Sequence, residues 1–407
     1  MAVVNDLAKR RWHRVNALTP DISAGSGPMS ASGRGGGRGG KLVAVLTALA
    51  IALTTVVSTR LVPAGTARSA PPVGIGAWLS DSRNLPDPAR TDPDAVASFL
   101  AAMDPAERRE LVVRYPGVVG ALNGAPPELR YLANRSAMTL AGAPYQDWAG
   151  NFLLFDQRGS GRVAQVFGDL STADRIAVLV PGVGNRGDNF LTGLGGRSYR
   201  SPAVQAADLY RAAVRHGRSG DRVAVIAWLG YDAPGGVGIA AARRDLAQAG
   251  ANELEQLVAG LTAIRPQATI MLLGHSYGGV VVGLAASRLP WQVTDIAVFG
   301  SPGMGVDSVR ELGTTARVWA GQSGGDWIRW VPGVRLFGIG HGTKPTDPDF
   351  GACTFGTVDV PDHDHYLSPG TDSLANLARI VTPGSGKAGS GASAARLRCA
   401  SSHAEVP

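Results

Sequence analysis

Gly274-His275-Ser276-Tyr277-Gly278 sets a serine between two glycines, with one residue intervening on each side. The apolar run 268–273 precedes it, and the apolar, alanine-rich stretch 279–287 follows. If the first is a buried strand and the second a helix, the chain reverses sharply at Ser276. Side chains two positions before and after it would then collide with the strand and the helix. The hydroxyl stands at the carboxyl end of a sheet, above a helix N-terminus, where the Tyr277 N–H faces a developing oxyanion. The bland alternative is an ordinary tight turn, since G-x-S-x-G arises readily in a chain with 55 glycines. The strand before, the helix after and the further Gly279 favour a nucleophile.

A serine hydroxyl attacks only when a base takes its proton, and the usual base is histidine. There are seven histidines. His13 and His403 lie near the ends, His216 precedes the serine, and His275 adjoins it and points elsewhere. In the order serine, acid, histidine, the base follows the last strand. That leaves His363 first, His365 as the alternative base, and His341 as an outsider. The orienting acid belongs between serine and base, after a strand. Asp326 in Gly324-Gly325-Asp326-Trp327 fits, and Asp307 is its rival; either reads equally as a turn-forming aspartate. A second oxyanion donor is expected in Pro181-Gly182-Val183-Gly184-Asn185, where small residues let the backbone approach a carbonyl. Val183 N–H is the candidate and Gly184 comes next, against the plain reading of a glycine turn.

Two other patterns compete. Residues 182–187 also spell G-x-G-x-x-G after a strand, but the glycine-rich stretch that follows is a poor helix and the strand is not the first of its sheet, so a dinucleotide loop is disfavoured. Asp362-His363-Asp364-His365 puts two imidazoles on one side of an extended chain, yet no third ligand cluster accompanies it, so no metal is expected. No cofactor is implied.

These groups need a scaffold. Runs of strand length at 151–155, 163–167, 176–180, 223–228, 269–273, 296–299, 317–319 and 354–360 alternate with helix-length segments at 202–216, 239–264, 278–289 and 371–381. The first two strands are joined by the hairpin turn Arg158-Gly159-Ser160-Gly161. Thereafter the alternation predicts an α/β fold: a mostly parallel sheet with helices on both faces. Before it, 71–92 reads as a proline- and aspartate-rich linker. Residues 93–114 read as helical, with a start at Asp104-Pro105-Ala106-Glu107 and a stop at Pro116-Gly117, and 126–138 as a further helix. The expected organisation is thus a leader over 1–70, a linker and small helical region over 71–144, the α/β domain over 145–383, and a flexible Gly/Ser/Ala tail over 384–407.

The 407 residues are 44% hydrophobic and 17% charged, which excludes wholesale disorder. The net charge of +7 resides in residues 1–70, with nine basic and two acidic side chains; the remainder carries 30 of each. The body therefore lacks the basic footprint of a nucleic-acid binder. The apolar run 42–57 follows Arg34, Arg38 and Lys41, as in a secretory signal or a signal anchor through 42–59, and small residues after it offer a cleavage site. A start at Met29 would leave an ordinary basic n-region. Either arrangement places the body outside the cytoplasm, secreted or anchored at the surface. Cys353 and Cys399, in no C-x-x-C pair, are either two unrelated thiols or one disulfide closing a 46-residue loop. Such a disulfide would contribute about 3–4 kcal/mol on the loop-entropy model.

Several longer stretches carry a resemblance: Val178–Asn185 as VLVPGVGN, Val225–Pro234 as VIAWLGYDAP, Gly274–Gly279, Gly300–Val306 as GSPGMGV, Gly340–Thr343 and His363–Tyr366. Jointly these resemble an α/β-hydrolase family abundant in high-GC Gram-positive bacteria and long labelled a domain of unknown function, from about residue 127 to 381. The resemblance implies the α/β-hydrolase fold and a Ser276, Asp326, His363 triad. A tyrosine three residues after the histidine is usual in that family and favours His363, while the additional His365 departs from its pattern. The expected function is a serine hydrolase cleaving a small or lipid-like ester by acyl transfer; amides and thioesters need the same parts. The alternative is a non-catalytic cell-envelope or lipid-binding module on the same fold.

Overall fold

The computed structural model describes residues 71–336, 338–383 and 397–399. The leader with its apolar run, and most of the expected tail, lie outside the described residues. Among the described residues no helix is long and apolar enough to cross a membrane.

Five short helices come first: α1 (Ile75–Leu79), α2 (Pro93–Ala102), α3 (Pro105–Arg114), α4 (Pro116–Val119) and α5 (Pro127–Ala141). The stretch expected as a linker is tied down. Trp78 is fully buried, donates its indole N–H to the Pro86 carbonyl at 2.7 Å, and packs edge-on to Tyr115. The expected helix 93–114 is two helices, because Asp104 leaves the helical conformation to cap α3, where it exchanges hydrogen bonds with Ala106 N–H and Glu107. Pro116, expected as a stop, opens α4, since a proline at the first helical position lacks only an N–H that would go unpaired anyway. This region has its own core of Leu100, Leu111, Val118, Val119 and Leu122 around Trp78. It is welded to the sheet by two buried polar side chains on α5. Arg130 donates to the Leu153 carbonyl at 2.7 Å, and Asn134 to the Phe152 carbonyl at 2.8 Å.

Strands β1 (Asn151–Asp156) and β2 (Arg162–Phe167) form the expected hairpin. They are followed by β3 (Arg175–Val180), α6 (Pro202–His216), β4 (Val223–Leu229), α7 (Ile239–Ala242), α8 (Asp245–Ile264), β5 (Thr269–His275), α9 (Tyr277–Ala285), β6 (Val293–Phe299), β7 (Arg317–Gly321), β8 (Cys353–Thr354) and α10 (Asp372–Val381). The sheet order is β1-β2-β4-β3-β5-β6-β7-β8; β1 pairs with β2, and β2 with β4, antiparallel, and β3 through β8 run parallel to one another. Every residue of β4 is buried, which requires cover on both faces. The cover is helical: α6 packs with α10, and α8 with α9.

Two expected elements are altered. Of the run 354–360 only Thr354 lies in a strand, the two-residue β8; Val358 N–H bonds the Asp372 carboxylate instead of a neighbouring strand, while Phe355 turns inward onto Gly321. The expected helix 239–264 breaks at Arg243 and Arg244. There the Tyr277 hydroxyl donates to the Arg243 carbonyl at 2.9 Å and accepts from Ala247 N–H at 3.0 Å, so one phenol replaces helical hydrogen bonds. Cys353 and Cys399 form a disulfide, and Thr354 exchanges backbone hydrogen bonds with Arg398 alongside it.

Candidate active site

Ser276 joins β5 to α9 with φ 54° and ψ −124°, one of two non-glycine residues with positive φ among the described residues. L-residues avoid this conformation, so the surroundings must impose it. A Cβ on Gly274 would lie 2.6 Å from the Gly279 Cα, and one on Gly278 would strike the Val180 carbonyl oxygen. The two flanking glycines are therefore compulsory for the reason the sequence suggested.

The strand end brings three side chains together. Ser276 Oγ is 2.9 Å from His363 Nε2, and His363 Nδ1 is 2.8 and 3.0 Å from the two Asp326 oxygens. An ionised carboxylate only accepts, so the proton sits on Nδ1 and leaves the Nε2 lone pair for the serine O–H. Asp326 leaves the turn after β7 fully buried. It also accepts Ile328 N–H at 2.8 Å and the Tyr366 hydroxyl at 2.7 Å. Burial alone would raise its pKa, but the hydrogen bonds and charge of His363, with those from Ile328 and Tyr366, hold the carboxyl below its ordinary value.

The alternatives go elsewhere. His365 Nδ1 bonds Asp362 at 2.6 Å, and its ring stacks on Tyr199 with centroids 4.1 Å apart. His341 donates from Nε2 to the Ala241 carbonyl at 2.7 Å. Asp307 accepts from Thr343 N–H at 2.9 Å in an exposed loop. Asp364 pairs with Arg200 and Asp362 with His365, so of the Asp-His-Asp-His run only His363 reaches Asp326 and Ser276.

The loop after β3 lies against the serine: a Cβ on Gly182 would come within 2.7 Å of Ser276 Cβ and 3.1 Å of its Oγ. Its shape is held by Tyr231, whose hydroxyl donates to the Pro181 carbonyl at 2.6 Å, and by the Asn185 amide on the Gly182 carbonyl at 3.0 Å. Gly184 N–H is committed to the Pro234 carbonyl at 2.8 Å. Among the described residues neither Val183 N–H nor Tyr277 N–H donates to a protein acceptor. Glycines 182–187 are followed by 3-10 turns, and α6 begins only at Pro202.

Three contributors escaped sequence reasoning. His275, expected to point elsewhere, donates from Nε2 to the His363 carbonyl at 2.8 Å and stacks on Phe299. Burial and the neighbouring His363 lower its pKa to about 4, so it stays neutral. Ser323 N–H donates to the Tyr366 hydroxyl at 2.8 Å, which aims that phenol at Asp326. Gly300, with φ 54°, leaves room for Asp326 and His363: a Cβ there would lie 2.9 Å from Asp326 Oδ2 and 3.2 Å from His363 Nδ1. Its hints in the sequence are its position directly after β6 and its place at the head of the GSPGMGV stretch.

Residues 156–336 match a family described as Alpha/beta hydrolase. The chain is 30% identical over 203 residues to an uncharacterized protein of Mycobacterium tuberculosis, Rv0963c, covering 48% of this chain and 66% of that one. It is 26% identical over 382 residues to another, Rv2079, covering 73% of this chain and 56% of the relative. The chain thus spans little more than half the length of that relative. Among solved structures it is similar to a predicted CIB-like hydrolase from Thermoplasma acidophilum, at 14% identity and TM-score 0.35 over 57% of this chain and 94% of that one. It is likewise similar to an α/β serine hydrolase from Xanthomonas campestris, at 16% identity and TM-score 0.29 over 43% and 72%. The chain carries the α/β-hydrolase fold.

Proposed function

We propose that this chain is a serine hydrolase that cleaves an ester by acyl transfer through Ser276. The observation that carries the reading is the unbroken line from Ser276 Oγ through His363 to Asp326, with both hydrogen bonds within 3.0 Å on a serine at φ 54°. In this reading Ser276 Oγ attacks the acyl carbon while its proton passes to His363 Nε2. Asp326 holds the resulting imidazolium without taking the proton. The N–H groups of Val183 and Tyr277 receive the oxyanion, each contributing about 3–4 kcal/mol by analogy with measured oxyanion donors. His363 then gives its proton to the leaving alcohol, and water, activated by the same imidazole, releases the acid.

An extracytoplasmic location belongs to the proposal. The basic residues before the apolar run 42–57 support it, as does the Cys353–Cys399 disulfide, since disulfides persist in oxidising compartments.

The test is a fluorophosphonate probe on the purified chain. Labelling that Ser276→Ala abolishes supports the reading. A folded chain that takes no label and turns over no ester overturns it in favour of a binding module. Thiol alkylation of the chain in intact cells checks the location: an exported chain leaves Cys353 and Cys399 unmodified until reduced.

A further inference from the structure

Beside the site the molecule exposes an apolar, basic rim. The loop that leaves β7 carries Trp327, whose ring centroid is 4.9 Å from that of His363, and continues through Trp330, Val334, Leu336 and Ile339. These last four side chains are 51–75% exposed. The segment after β4 adds Val237 and Ile239, also more than half exposed. The two segments are stitched together, with Gly340 N–H on the Ala242 carbonyl at 2.9 Å and the His341 ring on the Ala241 carbonyl at 2.7 Å. Seven of the 17 exposed large apolar side chains among the described residues fall here. A concentration of this kind on a soluble face marks an interaction surface.

Charge says with what. Residues 233–244 and 327–344 contain five basic side chains (Arg243, Arg244, Arg329, Arg335 and Lys344) and no acidic one, whereas the rest of the body after residue 70 carries 25 basic and 30 acidic side chains. Arg243 pairs with Asp245 at its edge. Arg329 and Arg335 instead spend their shortest hydrogen bonds on the carbonyls of Gly324 and Gly305, each at 2.6 Å, and Lys344 bonds the Arg329 carbonyl. The nearest carboxylate to Arg335 is that of Asp307, at 3.9 Å. Arg329 also lies over the Trp330 ring, 4.6 Å from its centroid. Tryptophan with flanking arginine and lysine, mixed with aliphatic tips, is the composition that settles at the headgroup level of a bilayer, and basic clusters favour anionic headgroups.

We propose that this rim docks the protein on an anionic lipid surface, with the mouth of the site turned toward the lipid. The proposal goes beyond the esterase reading and needs no chemistry at Ser276, so it can be tested where the reaction is absent. The full chain carrying Ser276→Ala is floated with vesicles of phosphatidylglycerol and phosphatidylcholine. It is compared with the same chain also carrying Trp330→Ser, Leu336→Ser and Ile339→Ser. The apolar run 42–57 is present in both, so its contribution cancels. Affinity is expected to fall at least tenfold in the triple variant, with near-UV circular dichroism reporting its fold. Arg329→Gln with Arg335→Gln is expected to weaken binding to the anionic vesicles at least threefold and to leave the weaker binding to pure phosphatidylcholine unchanged. This pair also serves if the triple variant fails to fold. Equal flotation of parent and variants overturns the proposal. So does a concentration-dependent dimer in sedimentation that the triple substitution abolishes, which would make the rim a contact between copies of this chain.

Discussion

Around Ser276 each neighbour is held from two sides, whereas the loop a few ångströms away, from Trp327 to Lys344, leaves most of its large apolar side chains in solvent. On the floor, glycines at 182, 274, 278 and 300 let backbone and side chains approach so closely that a methyl at any of them would lie within 3 Å of a neighbouring atom. On the rim, Trp330 and Leu336 are mostly exposed. Under the two proposals the contrast separates two physical tasks. Proton transfer demands positions fixed to a fraction of an ångström, which only crowding supplies. Adhesion to a fluid surface demands area and charge, and tolerates imprecision.

The largest expected effect divides the two histidines of the 362–365 segment. His363→Ala should lower kcat on a soluble ester by about 10⁴-fold or more, while His365→Ala should change it less than about threefold. A reversal would relocate the base and break the assignment of the floor. Gly300→Ala comes next. Its new methyl meets Asp326, Tyr366 and His363 at a positive φ, so kcat should fall about 10²-fold even though the residue touches no substrate. A near-normal Gly300→Ala enzyme would show that the floor yields as easily as the rim. Tyr366→Phe removes one of the hydrogen bonds to Asp326. It should cost about tenfold in kcat with little change in KM, the split expected of a positioning residue.

His275 tests the floor through acid. Its pKa in the fold is about 4 against an ordinary 6.5, so the unfolded chain binds the proton more readily. The neutral imidazole's contribution is complete above pH 6.5 and is lost as the pH falls toward 4. Thermal midpoints should decline across that window. His275→Phe should flatten this part of the decline while lowering kcat, because the hydrogen bond to the His363 carbonyl is gone. Last, Val334→Ser should alter stability by less than about 0.5 kcal/mol, as expected of a rim residue. A larger loss would mean the rim is packed after all.

Much of this was legible in the sequence where burial writes itself as composition. The strands from β3 to β7 are apolar runs and were found within a few residues. The hairpin before them was marked by its glycines. The element that failed, 354–360, failed because its apolar residues serve packing on Gly321 while its N–H groups turn to the Asp372 carboxylate, and a run of side chains carries no record of where a ladder ends. The break before α8 depends on a hydroxyl 34 residues downstream, which no local propensity encodes. In the site, residue type, turn context and chain order point to Ser276, Asp326 and His363, and the fold brings those three together. His275 was misread because its role is a bond to a backbone carbonyl 88 residues away, invisible to spacing. Gly300 was missed because absence of a side chain announces nothing until its neighbours are known.

The edge of the sheet carries one further consequence. β8 is two residues long, and its outer side is paired with Arg398, which the Cys353–Cys399 bond keeps in place. Cut that sulfur link, and the strip can peel away from Thr354, uncovering main-chain donors and acceptors that a second molecule can adopt. Oxidised material should therefore remain monodisperse in light scattering, and reductant should drive clustering with no change in the helical signal.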